Sequence, residues 1–343
     1  MRHFPLYHLT LARVRELLRE PEAIFWVFAA PVLLAMALGL AFRSSGPPEL
    51  NIGVQDAPGA AWIIEALRDE PQIVALMLDA DQARDRLRTG KVALVVIPGE
   101  ELTYWFDPTR PDSRYARLAV DDALQRAAGR TDPQRTGSRE MNEKGSRYID
   151  FLIPGLLGMN LMGTGMWGIG FSIVMSRSKQ LLKRMVASPM RKTDYLAAQM
   201  LGRLVFLVLE VGAIVIFAVL VFGVPLRGSL PAFAAVCVLG AMTFAGLGLL
   251  VASRARTVEG VSGLMNIVML PMWICSGIFF STSRFPEVMQ PAVQALPLTA
   301  VNDALRAIML DGATLASQSA ELAVIVFWMT ASFVAALVLF RWT

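Results

Sequence analysis

Long charge-free apolar runs alternate with charged segments along this chain, and the lengths of the runs decide its class. Ala23 to Phe42 is 20 residues without a charge, bracketed by Glu22 and Arg43, which matches about 30 Å of hydrocarbon at 1.5 Å of rise per residue. Further runs predict spans over Phe151 to Met175, Leu196 to Val224, Pro231 to Ser253, Gly260 to Thr282 and Leu322 to Phe340. Charges or Pro/Gly turns separate them. The pattern therefore predicts an α-helical membrane protein with six transmembrane helices. The first run is longer than the apolar stretch of a signal peptide, and Ala41-Phe42-Arg43 is a poor small-residue cleavage site, so it is read as a retained span, residues 23–42.

Between the first and second runs lies a segment of a different period, residues 43–147. Apolar residues alternate near Asn51 to Gln55 and recur at helical spacing from Ala60 to Arg68. Ile73 to Leu78 reads as a strand, Asp81 to Arg88 as a helix, Val92 to Ile97 as a buried strand before Pro98-Gly99, and Leu102 to Phe106 alternates again. This predicts an inserted α/β domain. Arg126 to Lys144, rich in charge, Gly and Thr, reads as an exposed return to the bilayer. Residues 1–22 predict an amphipathic interfacial helix, with Leu6, Tyr7, Thr10, Leu11, Val14, Leu17 and Leu18 on one arc and His8, Arg13, Arg15, Glu16, Arg19 and Glu20 on the other.

Charge sets the expected orientation. Arg2, Arg13, Arg15 and Arg19 precede the first run; Arg177, Lys179, Lys183, Arg184, Arg191 and Lys192 follow the second; Arg254 and Arg256 follow the fourth. Basic residues mark cytoplasmic faces, so both termini are expected inside and residues 43–147 outside. The net charge of +4 does not point to nucleic acid, because residues 43–147 carry 15 basic against 17 acidic residues and the excess surrounds the spans. Charged residues make up 17% of the chain, against about a quarter in soluble domains.

Composition also excludes chemistry. The only cysteines, Cys237 and Cys275, lie in apolar runs, and the only histidines, His3 and His8, precede the first one. Neither a disulfide framework, nor a Cys or His metal site, nor a Ser-His nucleophile inside the membrane is available. The single Gly90-Lys91 pair has Asp85 where a phosphate loop needs glycine, and Val92 where it needs Ser or Thr. The chain is not expected to be an enzyme.

Four groups of residues remain as candidates. After the second span, Leu181, Leu182, Met185 and Val186 share one helical arc while Arg177, Lys179, Lys183 and Arg184 occupy the other, until Ser188-Pro189 ends the helix. Such a loop either binds anionic lipid or docks its apolar knobs into a cytoplasmic partner. Arg203 and Glu210 lie seven residues apart, on one face of the third span, as a structural pair or as the lining of a cavity. Gly155, Gly158, Gly163, Gly165, Gly168 and Gly170 in the second span, and Gly240, Gly246 and Gly248 in the fourth, read as sites of close helix packing. Finally, Ser276-Gly277, Pro286, Pro291 and Leu296-Pro297 break the chain over residues 276–320 and predict short re-entrant helices, with Ser276, Gly277 and Pro297 as a gate.

The order of these parts resembles the ABC-2 type permeases, membrane subunits of ABC exporters, in the branch with a large extracytoplasmic domain after the first span. The resemblance rests on the amino-terminal helix, Ala187-Ser188-Pro189-Met190-Arg191 with Tyr195 beyond, the run Pro271 to Phe280, and Leu296-Pro297-Leu298-Thr299 followed by Ala304-Leu305-Arg306. Ser176 to Leu181 departs from the Glu and Gly-Thr pair common in relatives. The resemblance implies a bacterial inner-membrane half-transporter that pairs with a second copy or a paralogue and with two separate ATP-binding subunits. Those subunits, not this chain, would bind ATP and Mg. Residues 176–191 would be the coupling helix, with Arg177, Lys179, Leu181, Leu182, Arg184, Met185, Ser188, Pro189 and Arg191 as its contacts, and the cargo a drug, lipid or lipopeptide. A secondary transporter, which would show inverted repeats, and a signalling protein that senses through its outer domain are the alternatives.

Overall fold

The structure, a computed structural model, describes residues 24–41, 49–131, 145–180, 192–255 and 257–339 together with a few single positions; over residues 192–197 it describes the backbone alone. The amino-terminal helix expected over Leu6 to Glu20, most of the charged return to Lys144, and Leu181 to Arg191 lie outside the described residues. The chain divides into two compact units, Ser44–Glu140 and the remainder.

The smaller unit is built on a four-stranded sheet in the order β2-β1-β3-β4, with β1 Leu50–Gln55, β2 Ile73–Leu78, β3 Leu94–Ile97 and β4 Thr103–Phe106. β1 is parallel to both neighbours, Ile52 standing opposite Ala75 and Leu94, and β3 is antiparallel to β4 with Val95 opposite Trp105. Three helices cover it, numbered after the first helix of the larger unit, α1 (Ala30–Ala41): α2 Ala60–Arg68, α3 Ala80–Arg88 and α4 Pro111–Ala127. Leu50, Ile52 and Val54 pack against Ile63 and Leu67 of α2 and Ala116, Val120 and Leu124 of α4. Leu78 and Val95, on the other face, meet Ala83 of α3.

Two boundaries in this unit differ from the sequence pattern for local reasons. α3 starts one residue early because the Asp79 carboxylate accepts the Gln82 amide at 2.7 Å and caps it. β3 starts at Leu94, not Val92, because the amides of Lys91 and Val92 are taken by the Arg86 carbonyl at the end of α3. The helix α4, which the pattern did not announce, begins at Pro111 and buries Ser113, Ala116, Val120, Ala123 and Leu124.

The larger unit is a helical bundle. Its helices are α1, preceded by a π turn over Phe25–Ala29, α5 Tyr148–Ser178, α6 Lys192–Phe217 with a π turn to Phe222, α7 Leu230–Arg254, α8 Val258–Cys275, α9 Gln290–Gln294, α10 Pro297–Arg306 and α11 Ser319–Leu339. Among the described residues five helices are long and apolar enough to cross a membrane: α5, α6 with its turn, α7, α8 and α11; the apolar helix Phe25–Ala41 is shorter. α5 and α7 sit at the centre, with 78% and 61% of their apolar windows buried against 17–28% for the other three.

α5 starts at Tyr148 because Asp150 gathers the Gly145 and Arg147 amides (2.9 and 3.1 Å) and the Arg147 guanidinium around the helix end. The predicted fifth span is corrected: the helix stops at Cys275 instead of running to Thr282. Gly277 takes φ 67°, a left-handed conformation that ends helices, and the chain then proceeds through two 3₁₀ turns, Thr282–Arg284 and Glu287–Met289, into α9 and α10.

Candidate functional site

The polar residues of the bundle gather in three places. In the first, Arg203 and Glu210, two turns apart on α6, form an ion pair with Nη2 2.6 Å from Oε1. Both side chains are buried, at 5% and 0% exposure. Thr164 of α5, bonded to its own Asn160 carbonyl at 2.7 Å, also reaches the Glu210 Oε1 at 3.3 Å. Asn160 in turn donates to the Val27 carbonyl, in the π turn before α1, at 3.4 Å. A polar seam thus joins α1, α5 and α6. Glu210 lies 18 residues into α6, about 27 Å along its axis. Among the described residues Glu210 Oε2 and Arg203 Nε and Nη1 are buried without a partner, so the pair is held together in a medium where a lone charge is costly.

The second place unites residues the sequence had put in a gate. Pro297 opens α10, and from that helix Asn302 Nδ2 donates to the Ser276 carbonyl at 2.8 Å. Arg306 donates to the Gly277 carbonyl and to the Phe151 carbonyl (3.3 Å), pairs with Asp303 at 3.2 Å, and stacks 3.8 Å over the Phe151 ring. Tyr148 donates its hydroxyl to the Phe279 carbonyl at 3.0 Å. Ser276, Gly277 and the helix begun by Pro297 are therefore one clamp on the amino-terminal half of α5. Arg306, which the sequence named in the run Ala304-Leu305-Arg306, is an interior residue with its side chain 12% exposed. Asn302 was missed, and its spacing of four from Arg306 on a helix otherwise buried is the signal that could have found it.

α5 meets this clamp through glycines. A Cβ at Gly155 would lie 2.7 Å from the Ile278 carbonyl, and one at Gly158 would overlap the Asn302 carboxamide. Gly165 and Gly248 are equally tight where α5 crosses α7, a Cβ at Gly248 falling 2.7 Å from the Met166 carbonyl. Gly163 and Gly168 face open space, so the expectation of close packing holds for some of these glycines and not for those two.

The third place is the end of α5. Arg177 turns inward and donates to the carbonyls of Ala252 (3.0 Å), Ser253 (3.4 Å) and Ala255 (2.5 Å) at the end of α7. Close by, Gln199 Nε2 of α6 lies 3.3 Å from the Ser172 hydroxyl of α5. Lys179 is exposed; Leu181, Leu182, Arg184, Met185, Ser188, Pro189 and Arg191 are outside the described residues.

A bundle in which five helices are long and apolar enough to cross a membrane, packed around buried polar seams, marks a multi-pass membrane protein. The chain matches the family described as ABC-2 family transporter protein over residues 21–342. It belongs to that family. It is 27% identical over 49% of its length to ABC transporter G family member 20 of Dictyostelium discoideum, 23% of whose length is covered. It is 28% identical over 45% of its length to the inner membrane transport permease YadH of Escherichia coli, covering 60% of that protein. With the inner membrane transport permease YhhJ of the same organism it shares 24% identity over 42% of its length and 39% of the relative's. The chain thus spans between about a quarter and three-fifths of these relatives.

Proposed function

We propose that the chain is the permease subunit of an ATP-driven ABC exporter that moves a hydrophobic or amphipathic substrate, a drug, lipid or lipopeptide, out of the cytoplasm or inner leaflet. The observation that carries this reading is the family match along residues 21–342; the names of the Escherichia coli relatives support a permease of the bacterial inner membrane. In this reading Phe25–Ala41 is the first of six spans, both termini are cytoplasmic, and residues 43–147 lie outside. The permease pairs with a second copy or paralogue and with two ATP-binding subunits on separate chains, which hold ATP and Mg. Residues 176–191 form the coupling segment, whose residues beyond Lys179 dock into those subunits.

ATP-driven closure of the two ATP-binding subunits would draw the paired docking segments together and tilt α5 and α6, whose ends flank each segment. Leu182 and Met185 would fill an apolar groove, so an aspartate at either position places a charge there at a cost of several kcal/mol. The test is copurification of the permease with a coexpressed ATP-binding subunit. The Leu182→Asp and Met185→Asp chains are expected to lose the subunit or its stimulated ATPase, while the wild-type chain alone hydrolyses no ATP. Unchanged copurification and stimulation in both variants would refute the docking role, and no copurification with the wild-type chain would refute the reading as a whole.

A further inference from the structure

The last four carbonyls of any α-helix lack an intrahelical partner, and where the helix end is buried, as at Ala252, Ser253 and Ala255, no bulk water replaces it. At the end of α7 these acceptors are met from outside the helix, by Arg177 of α5. A guanidinium suits the position for two reasons. Its fork reaches several carbonyls at once, where an ammonium is a point donor, and its charge lies against the negative end of the α7 dipole.

The location matters as much as the bonds. Arg177 is one residue before the end of α5, where the chain enters residues 178–191. On the acceptor side, Ala255 lies between α7 and α8, and α8 starts again at Val258, capped by Thr257, whose hydroxyl accepts the Gly260 amide at 3.1 Å. A connection that short transmits displacement. Whatever moves the end of α5 therefore moves the end of α7 and the start of α8 with it. By contrast α6 is tied to α5 here through the Gln199–Ser172 contact.

We infer that Arg177 is the positioning residue through which movement of residues 178–191 reaches α7 and α8, rather than a surface charge that touches the cytoplasmic partner. This rests on the proposed docking of the residues beyond Lys179 to an ATP-binding subunit. It assigns the two ends of one loop different work: the apolar residues beyond Lys179 receive the push, and Arg177 passes it on.

The experiment is hydrogen–deuterium exchange on the permease complexed with its ATP-binding subunit, compared without nucleotide and with ATP trapped by vanadate. In the wild type, exchange changes on trapping in two segments, 178–191 and 251–262. In Arg177→Gln the subunit still copurifies and 178–191 still responds, while the response at 251–262 falls about fivefold or more, the loss expected when a coupling of ordinary size is cut. Arg177→Lys, which keeps the charge and folds if the glutamine variant does not, falls in between. A wild type without a response at 251–262, or variants in which both segments respond as in the wild type, would overturn the inference. Failure of the wild-type chain to bind the subunit at all would instead strike the docking reading, and both results are distinguishable in the same samples.

Discussion

Gly158→Ala is the sharpest test of the clamp between α5 and α10. The added methyl would lie inside the van der Waals envelope of Asn302, 3.1 Å from its Cγ and 3.2 Å from Leu298 Cδ1. Asn302 is fully buried, and its Nδ2 holds the Ser276 carbonyl at 2.8 Å, so it can yield only by giving up that bond. The cost combines overpacking, about 1–3 kcal/mol, with a buried acceptor left unpaired, about 1–3 kcal/mol. Alanine returns about 1 kcal/mol of helix propensity, leaving a net loss of about 1–5 kcal/mol. Gly163→Ala, five residues along the same helix, is the control: no atom lies within 4 Å of its Cβ, so only the propensity gain of up to about 1 kcal/mol remains. Thermal unfolding in detergent should therefore move in opposite directions for the two alanines. In an Asn302→Ala background Gly158→Ala should cost far less, because the overlap is with that side chain. If Gly158→Ala is tolerated as well as Gly163→Ala, or costs as much without Asn302, the clamp does not exist as described.

Other perturbations follow from the same contacts. Arg203→Ala strands a buried carboxylate and should cost about 3–5 kcal/mol, whereas the double change Arg203→Met, Glu210→Met should recover most of it; equal losses by thermal unfolding would show that the two charges are not a pair. Arg306→Ala removes the donors to Gly277 and Phe151 together with the ring contact, and Arg306→Lys should restore only part of the stability, since a lysine lacks the fork; full rescue by lysine would refute this. Ser44–Glu140 expressed alone should fold cooperatively. Its Tyr104 hydroxyl, 3.0 Å from Asp121, is pushed up to about 12 by burial and by that carboxylate. The unfolded phenol titrates near 10, so the unfolded chain releases its proton first and stability should fall as pH rises from about 10 to about 12. Tyr104→Phe should flatten that part of the profile, and a profile unchanged by the substitution would refute the shift.

What the sequence made legible depends on whether the cause lay nearby in the chain. Strands β1 to β3 were readable because Val, Ile and Leu runs end at local punctuation such as Pro98-Gly99. α4 was not, because much of its buried face is Ser113, Ala116 and Ala123, whose small side chains give a weak period. Arg203 and Glu210 were found on one face by their spacing, whereas Thr164, which completes their seam, sits 46 residues from Glu210 on another helix. The fifth span was drawn too long because Ile278-Phe279-Phe280 is as apolar as the helix before it. Its end is set by the conformation of Gly277 and by donors on α10, 26 and 29 residues downstream.

One rule connects those distant pairs. Asn160 donates to Val27 in a π turn, Arg177 to the end of α7, Asn302 and Arg306 to Ser276 and Gly277 just past α8, Tyr148 to Phe279 in the same irregular stretch, and Trp328 to Ala295 at the end of α9. Val27 lies in a π turn, and in the other cases a side chain from one element meets a carbonyl where another helix breaks or ends. Hydrocarbon supplies no substitute donor, so every break in an apolar helix creates a demand that a polar side chain elsewhere in the bundle must meet. The breaks are visible in the sequence as Gly and Pro, and the donors as polar residues inside apolar runs. Only their pairing requires the fold. It follows that a polar residue in such a run is better read first as the partner of a missing helical hydrogen bond. Arg203 and Glu210, which satisfy each other and reach no freed carbonyl in the described contacts, are the pair that this demand does not explain.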